Sequence, residues 1–320
     1  MKIIAQTEKS DIANVYIAET SENKPVEFVE SLQPPYPIEK KWVLIVSTLY
    51  GCPVSCSFCD CSYHYEGKIS KEDIFSQIDY LIRKKFETNK VPVEKFKIQF
   101  ARMGEPSFNP AVLEVLREFP KRFDAPGFLP SISTIAPVGR DIFFNELMDI
   151  KKTQYPKSFQ LQFSIHTTNL KLRDEIVPVK KWSFQQIADY GEKFFDKGGR
   201  KITLNFALTQ NAEMDSAVLK EFFNPDLFLI KITPVNPTYK SKQSGVESMI
   251  TFEVQEFDFI KEIESNGFQV IMSIGEWEEN KIGSNCGQYI LSHLNAVDKL
   301  QNCYNYNLDF GKNNINFENN

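Results

Sequence analysis

Cys52, Cys56 and Cys59 lie within one short stretch, CPVSCSFCD, at the spacing C-x3-C-x2-C. Thiolates strung this closely on one loop can hold three irons of a cubane 4Fe–4S cluster and leave the fourth iron open. An open iron can chelate an amino and a carboxylate group together, as the methionine end of S-adenosylmethionine (SAM) offers. A reduced cluster can then break a sulfur–carbon bond of that sulfonium. Zinc is the competing reading, since Cys61 and His64 are near enough in sequence to complete four ligands. Structural zinc usually rests on paired C-x2-C units, however, and no second pair occurs here. Phe58, just before the third cysteine, is placed to shield the cluster or to pack beside an adenine.

The elements that must position this loop follow from hydrophobic patterning. Segments 42–49, 96–103, 129–134, 159–166, 201–208, 228–235 and 268–274 are rich in β-branched and aromatic residues and read as strands. Helical patterns lie between them, near 111–118, 140–151, 183–196, 214–223 and 255–266. The clearest covers 70–88, where Ser70 and Asp73 form a capping-box-like start and Ile74, Ile78, Leu81, Ile82 and Phe86 share a face. Alternating strands and helices predict an α/β fold with a parallel sheet, a partial (βα)6-type barrel with its chemistry at the strand C-termini. Residues 1–40 predict a small β-rich extension closed by Pro34, Pro35 and Pro37. Residues 41–275 predict the barrel core, and 276–320 a C-terminal segment carrying Cys286 and a helix over 288–301.

The chain has 320 residues, 42% of them hydrophobic and 25% charged, enough for a substantial core. Its net charge of −5 lacks the basic excess common in nucleic-acid binders. Lys40, Lys41, Lys180, Lys181 and Arg200 are the residues from which a local basic patch beside the barrel mouth would be drawn. No apolar run is long enough to span a membrane, and the N-terminus lacks a signal-peptide core. With only six cysteines, three of them clustered, the expected location is the cytoplasm.

From about residue 26 to 290 the sequence resembles the radical SAM superfamily, and more narrowly its class A methylases, the ribosomal RNA adenine-carbon-2 methyltransferases and their carbon-8 relatives. The motifs occur in order: MGEP at 103–106, SIST at 131–134, FSIHTT at 163–168, RDEIVPV at 173–179, TPVNP at 233–237 and SNCGQ at 284–288. The resemblance implies a 4Fe–4S cluster on the three cysteines. It implies SAM contacts from Gly104, Glu105, Ser133, Ser164, Ile165, His166 and Asn236, and an external electron donor such as flavodoxin or ferredoxin. It also implies that Cys286 is methylated by one SAM, and that a 5′-deoxyadenosyl radical from a second SAM activates that methyl group for addition to an sp2 carbon. Glu27 lines up with the glutamate that removes a proton later, with Glu30 three residues away.

Two features depart from that pattern. The family's resolving cysteine lies seven residues before the first cluster cysteine, where this chain has Ile45. The family's helical RNA-contacting domain has no counterpart in the strand-like residues 1–40. Both lower the expectation of an RNA substrate and leave the substrate unassigned. Direct radical chemistry on a small molecule or peptide stands as the alternative to methyl transfer, beside RNA methylation and a non-enzymatic iron–sulfur or zinc protein.

Overall fold

The structure is a computed structural model that describes residues 1–7, 9–63, 65–251, 257–285, 289, 304 and 306–309. It opens with a meander of three strands, β1 (Lys2–Thr7), β2 (Ala13–Glu19) and β3 (Pro25–Ser31). Seven parallel strands follow: β4 (Trp42–Val46), β7 (Phe96–Phe100), β8 (Phe128–Thr134), β9 (Gln160–Ser164), β10 (Ile202–Leu208), β11 (Phe228–Pro234) and β12 (Gln269–Met272). A hairpin of β5 (Leu49–Gly51) and β6 (Tyr65–Lys68) brackets the cysteine loop, and β13 (Leu308–Asp309) pairs with β1.

All but the hairpin join one eleven-stranded sheet in the order β12-β11-β10-β9-β8-β7-β4-β3-β2-β1-β13. The sequence reading holds for every predicted strand. The parallel part has seven strands, and the N-terminal meander continues its edge through antiparallel pairing of β3 with β4. The barrel therefore stays open, because β3 occupies the edge of β4 that closure would have used.

Helices α1 (Lys71–Lys85), α2 (Ala111–Arg122), α3 (Asp141–Gln154), α5 (Phe184–Phe194), α6 (Ser216–Phe222) and α8 (Asp258–Ser265) form successive crossovers between the parallel strands. The short α4 (Leu170–Ile176), α7 (Tyr239–Gln243) and α9 (Glu278–Ile282), unmarked by any long apolar stripe, were not legible in the sequence. Ser70 caps α1 by accepting from the Asp73 amide, as its spacing predicts. The expected helix at 288–301 lies outside the described residues except for Tyr289.

Strand alternation divides the molecule into two environments. On β7, Phe96, Ile98 and Phe100 enter the main core against the helices, while Lys97 and Gln99 point to the concave face. The same alternation sends Phe163 of β9, Leu204 and Phe206 of β10, and Ile230 and Ile232 of β11 to the helices. Gln162, Thr203, Asn205 and Lys231 are left on the concave face. In a flat sheet β7 and β11 would stand about 19 Å apart, four spacings of about 4.8 Å. Here Lys231 is close enough to Lys97 to repel its ammonium, so the sheet curls around a lumen. Among the described residues no helix is long and apolar enough to cross a membrane.

Candidate active site

The three cluster-motif cysteines sit on the loop between β5 and β6, at the C-terminal end of the parallel strands. All three are free and half-buried. The loop is shaped by left-handed backbone at Gly51 and Ser55 and by hydrogen bonds from the Cys59 amide to the Cys56 carbonyl (3.2 Å) and from the Ser62 hydroxyl to the same carbonyl (3.1 Å). An apolar cradle of Val54, Ile135, Ile176 and Val177 packs against Cys52, Cys56 and Phe58. Burial, reinforced by the neighbouring Cys59, pushes the Cys52 thiol up to about 12. Burial and both other cysteines push Cys56 well above the ordinary thiol range. Cys59 is held lower, first by its hydrogen bond with the Cys61 thiol.

This donor set fits an iron–sulfur cluster. Three free thiols lie on one loop, two of them against an apolar cradle, and their mutual repulsion is what a cationic cluster core would relieve. Among the described residues no group of three or more His, Cys, Asp or Glu side chains could hold a single metal ion. A cubane is a larger body and asks for thiols spread around it.

Cys61 is buried behind the loop, and its thiol donates to the Arg102 carbonyl at 3.3 Å. It supports Cys59 and is not exposed toward the lumen. Asp60 ties the loop to other elements: its Oδ1 accepts from the Lys240 amide at 2.9 Å and its Oδ2 from the Tyr304 hydroxyl at 3.2 Å. Thr238 donates to the Phe58 carbonyl at 2.7 Å. These contacts bring the segment just past β11, which carries Asn236, onto the cysteine loop.

Glu105 is buried where β7 ends. Its Oε1 accepts from the Ser107 amide (3.2 Å), the Ser107 hydroxyl (2.7 Å) and the Thr134 hydroxyl, and its Oε2 accepts from the Ile135 amide at 2.9 Å. Burial raises its carboxyl above the usual range, and these four donors oppose that shift. The expected role was to receive the SAM ammonium. Most of its accepting capacity is spent on joining the ends of β7 and β8, which leaves one side of Oε2 open. Gly104 has φ +95°, and a Cβ there would lie 2.4 Å from the Leu49 side chain. Its glycine is required by that close packing, a different reason from the ligand approach expected of it.

His166, at φ 67°, is buried edge-on to Phe58 with ring centroids 5.2 Å apart. Its Nδ1 accepts from the Ala207 amide at 3.2 Å. Burial, with the Arg173 charge nearby, lowers its pKa to about 3, so the ring is neutral with its proton on Nε2. Ile165 lies in the main core, and its amide donates to the Asn205 carbonyl at 2.8 Å. Only its backbone is left for a ligand. Ser164 ends β9 beside Asn205, and Ser133 on β8 lies 3.5 Å from the Gln99 amide. Asn236 lines a cleft of about 800 Å³ with Gln210, Thr238, Lys242, Trp277 and Lys281. Its Oδ1 is 3.5 Å from Asn285 Nδ2.

Glu27 and Glu30 are both buried, not the exposed charges that formed the alternative for them. They lie on opposite faces of β3. Glu30 faces the helices and accepts from Trp42 Nε1 (3.1 Å) and the Tyr16 hydroxyl (3.2 Å), with Lys85 at 3.2 Å. Glu27 faces the other way and pairs with Arg102 at 2.9 Å, both side chains almost fully buried. Arg102 also donates to the carbonyls of Gly283 (2.9 Å), Ser284 (3.1 Å) and Asn285 (3.2 Å). It thus clasps the backbone that leads directly into Cys286, which itself lies outside the described residues. Sequence reasoning missed Arg102. Its signal was a charged residue in FARMGEP, inside an otherwise apolar strand end.

The suggested basic patch is not one patch. Lys40, Lys41 and Arg200 precede β4 and β10 at the N-terminal ends of the strands. Lys180 and Lys181 lie beyond β9 and α4 at the other end, where Lys181 pairs with Asp174 at 2.5 Å. Ile45, on β4, stands in register between Val29 of β3 and Gln99 of β7.

No protein-family model matches the chain. Among curated proteins it is similar to "Probable dual-specificity RNA methyltransferase RlmN" of Rhodococcus opacus, 25% identical over 273 residues that make up 81% of this chain and 70% of the relative. Proteins of the same name from Thermobifida fusca (26% over 274 residues, 82% and 71%) and Chlorobium phaeobacteroides (25% over 278 residues, 83% and 71%) match comparably. Among solved structures, a radical SAM methyltransferase from Sphaerobacter thermophilus superposes with a TM-score of 0.67 at 17% identity, over 90% of this chain and 80% of that one. The fold is that of this structure. The chain is an enzyme of the radical SAM type, related to the class A methyltransferases.

Proposed function

We propose that this radical SAM enzyme carries a 4Fe–4S cluster on Cys52, Cys56 and Cys59 and methylates an sp2 carbon of its substrate through Cys286. One observation carries the reading: the free thiol triplet shares a single mouth with Glu105, Ser164, Asn236 and the backbone leading into Cys286, with Arg102 joining that backbone to the MGEP segment. A reduced cluster bound there supplies the electron that splits SAM into methionine and a 5′-deoxyadenosyl radical.

The chain's own residues do the rest. The cysteine loop would hold the cluster on its three thiolates, with Val54, Ile135, Ile176 and Val177 packed beside Cys52 and Cys56. The buried Cys61 thiol lies beside Cys59 and lowers that ligand's pKa. Glu105 pins the ends of β7 and β8 together beneath the place of the SAM methionine. A Cys286 thiolate suits displacement of a methyl group from a sulfonium. Cys61 is a poor resolving thiol because it is enclosed and committed to Arg102 and Cys59. Release from Cys286 then falls to an external thiol or to Cys303, which lies outside the described residues. A flavodoxin- or ferredoxin-like protein would supply the electron.

The test is anaerobic reconstitution with iron, sulfide, dithionite and SAM. Formation of 5′-deoxyadenosine is expected, and its absence with an intact cluster would defeat the reading. Mass spectrometry of the anaerobically purified protein should show a Cys286 peptide heavier by one CH2. RNA methylation is the second reading, favoured by the names of the sequence relatives. Transfer of a labelled methyl group from SAM to an RNA fragment would establish it.

A further inference from the structure

The cysteine loop is tied down along Phe58 and Asp60 and thinly covered along Cys52 and Cys56. Thr238 holds the Phe58 carbonyl, and the Lys240 amide and the Tyr304 hydroxyl hold Asp60. Beside Cys52 and Cys56, Val54, Ile135, Ile176 and Val177 form a satellite cluster apart from the main core. The same four residues also pack against Phe108 and Val179, which are partly exposed. On this side one layer of apolar side chains separates the two thiols from solvent. Val138, on the loop after β8, continues the layer outward and is 51% exposed. Its amide donates to the Lys180 carbonyl at 3.0 Å, which joins that loop to the segment after α4. An exposed apolar face with a polar rim is a mark of an interaction site.

The rim of this face is cationic. The Arg140 guanidinium lies over the Phe108 ring, 4.9 Å from its centroid, and its Nε is buried without a hydrogen-bond partner. Among the described residues, no carboxylate lies within ion-pairing distance of Arg140 or Lys180. Lys181, in contrast, is neutralised by Asp174 at 2.5 Å. Residues 137–142 and 169–182 together hold five cationic side chains against three carboxylates, whereas the whole chain has a net charge of −5. The face is therefore locally positive on an acidic protein, and its field favours an acidic partner. An apolar centre rimmed by unpaired cations is complementary to the exposed edge of a flavin ring surrounded by carboxylates.

We propose that this face, centred on Val138 and Val179 and rimmed by Arg140 and Lys180, docks a small acidic flavoprotein that delivers the electron to the cysteine loop. The assignment rests on reading Cys52, Cys56 and Cys59 as the cluster ligands, and it names the surface through which their electron arrives. One electron leaves the reduced flavin of the carrier and enters the oxidised cluster. The carrier ends one electron more oxidised and the cluster one electron more reduced, and no bond is made or broken. Apolar contact at the centre excludes water, while the cations hold the carrier's carboxylates and set its orientation.

Titration of the anaerobic holoenzyme with purified, reduced flavodoxin tests it. The first readout is the Kd, and the second is 5′-deoxyadenosine formed with flavodoxin or with dithionite as the reductant. Binding should be saturable at low salt and should weaken as salt is raised. The double variant Arg140→Glu/Lys180→Glu should weaken binding by at least about tenfold, with dithionite-driven product within about twofold of wild type. Lys180→Glu alone, at an exposed position, should weaken it by a smaller factor, and it decides the matter if the double variant folds poorly. Lys40→Glu/Arg200→Glu, at the opposite ends of the strands, should leave binding unchanged. No binding of flavodoxin, or equal binding by wild type and Lys180→Glu, would overturn the proposal. So would equal weakening by the two double variants, which would show a general effect of net charge. Loss of dithionite-driven product in the wild-type enzyme would count against the radical chemistry, whereas the Kd reads the docking face alone.

Discussion

At the C-terminal ends of the parallel strands, Glu105 receives four hydrogen bonds, Asp60 is held from two elements, and Arg102 spends four donor contacts on Glu27 and three carbonyls. Toward the N-terminal ends, other cations act on Lys97, and Ser131 Oγ has no partner. The same strands run through both regions, so the difference is one of side-chain chemistry rather than of fold. At the C-terminal ends most polar groups are mutually satisfied, with Arg102 Nε and Ser57 Oγ as exceptions, and the protein holds its own geometry there. Where they are left unsatisfied, it gives up stability.

The comparison can be broken by mutation. The largest effect is expected for Arg102→Ala, which strands the buried Glu27 carboxylate. Removing one partner of a buried ion pair costs roughly 3–5 kcal/mol. In a chain of this size that is a fall in Tm on the order of 10 °C, read by thermal unfolding of the anaerobic holoenzyme. A Tm within a degree or two of wild type would mean that the clasp contributes little. Glu105→Gln comes next. The amide has a single acceptor oxygen where the carboxylate serves four donors, so buried donors lose their partner at about 1–3 kcal/mol. Its Tm should fall by less than that of Arg102→Ala.

Lys97→Met differs from both in having the opposite sign. Its folded pKa of about 7 lies below the ordinary lysine value of 10.5. Between those values the unfolded chain binds more protons than the folded one, so stability rises with pH across that window. Well below pH 7 both states are protonated and the penalty is full. The ligand-free variant should therefore be more stable than wild type at pH 6.5, with an advantage that shrinks by pH 9.5. Lower stability of the variant at pH 6.5 would show that the lumen cations are structurally satisfied and would erase the contrast between the two ends.

Much of the upper region was legible in the sequence because its chemistry is local. The three thiols lie on one loop, and Gly104 and Glu105 follow a recognisable strand. Ser70 caps the helix that its spacing with Asp73 announces. Glu27 was found, but its partner was not: Arg102 is 75 positions away in sequence, and no local pattern pairs them. The lumen cations were less legible still. Lys97 and Lys231 occupy ordinary alternating positions on two strands, where a charge reads as a solvated face. Lys41 and Arg200 were noticed, but assigned to the wrong end of the barrel.

By itself the sequence determined the cysteine triplet, the order of the strand-end motifs and the alternation of strands with helices, since each depends on spacing along the chain. It also determined that Ile45 stands where relatives of this type place a second thiol. Only the tertiary structure decided that Glu27 faces Arg102 and that Arg102 reaches the backbone before Cys286. The physical reason is the curl of the sheet. It brings together side chains from strands far apart in sequence, and whether a charge there is paired or exposed depends on what lies across the lumen rather than on its neighbours in the chain.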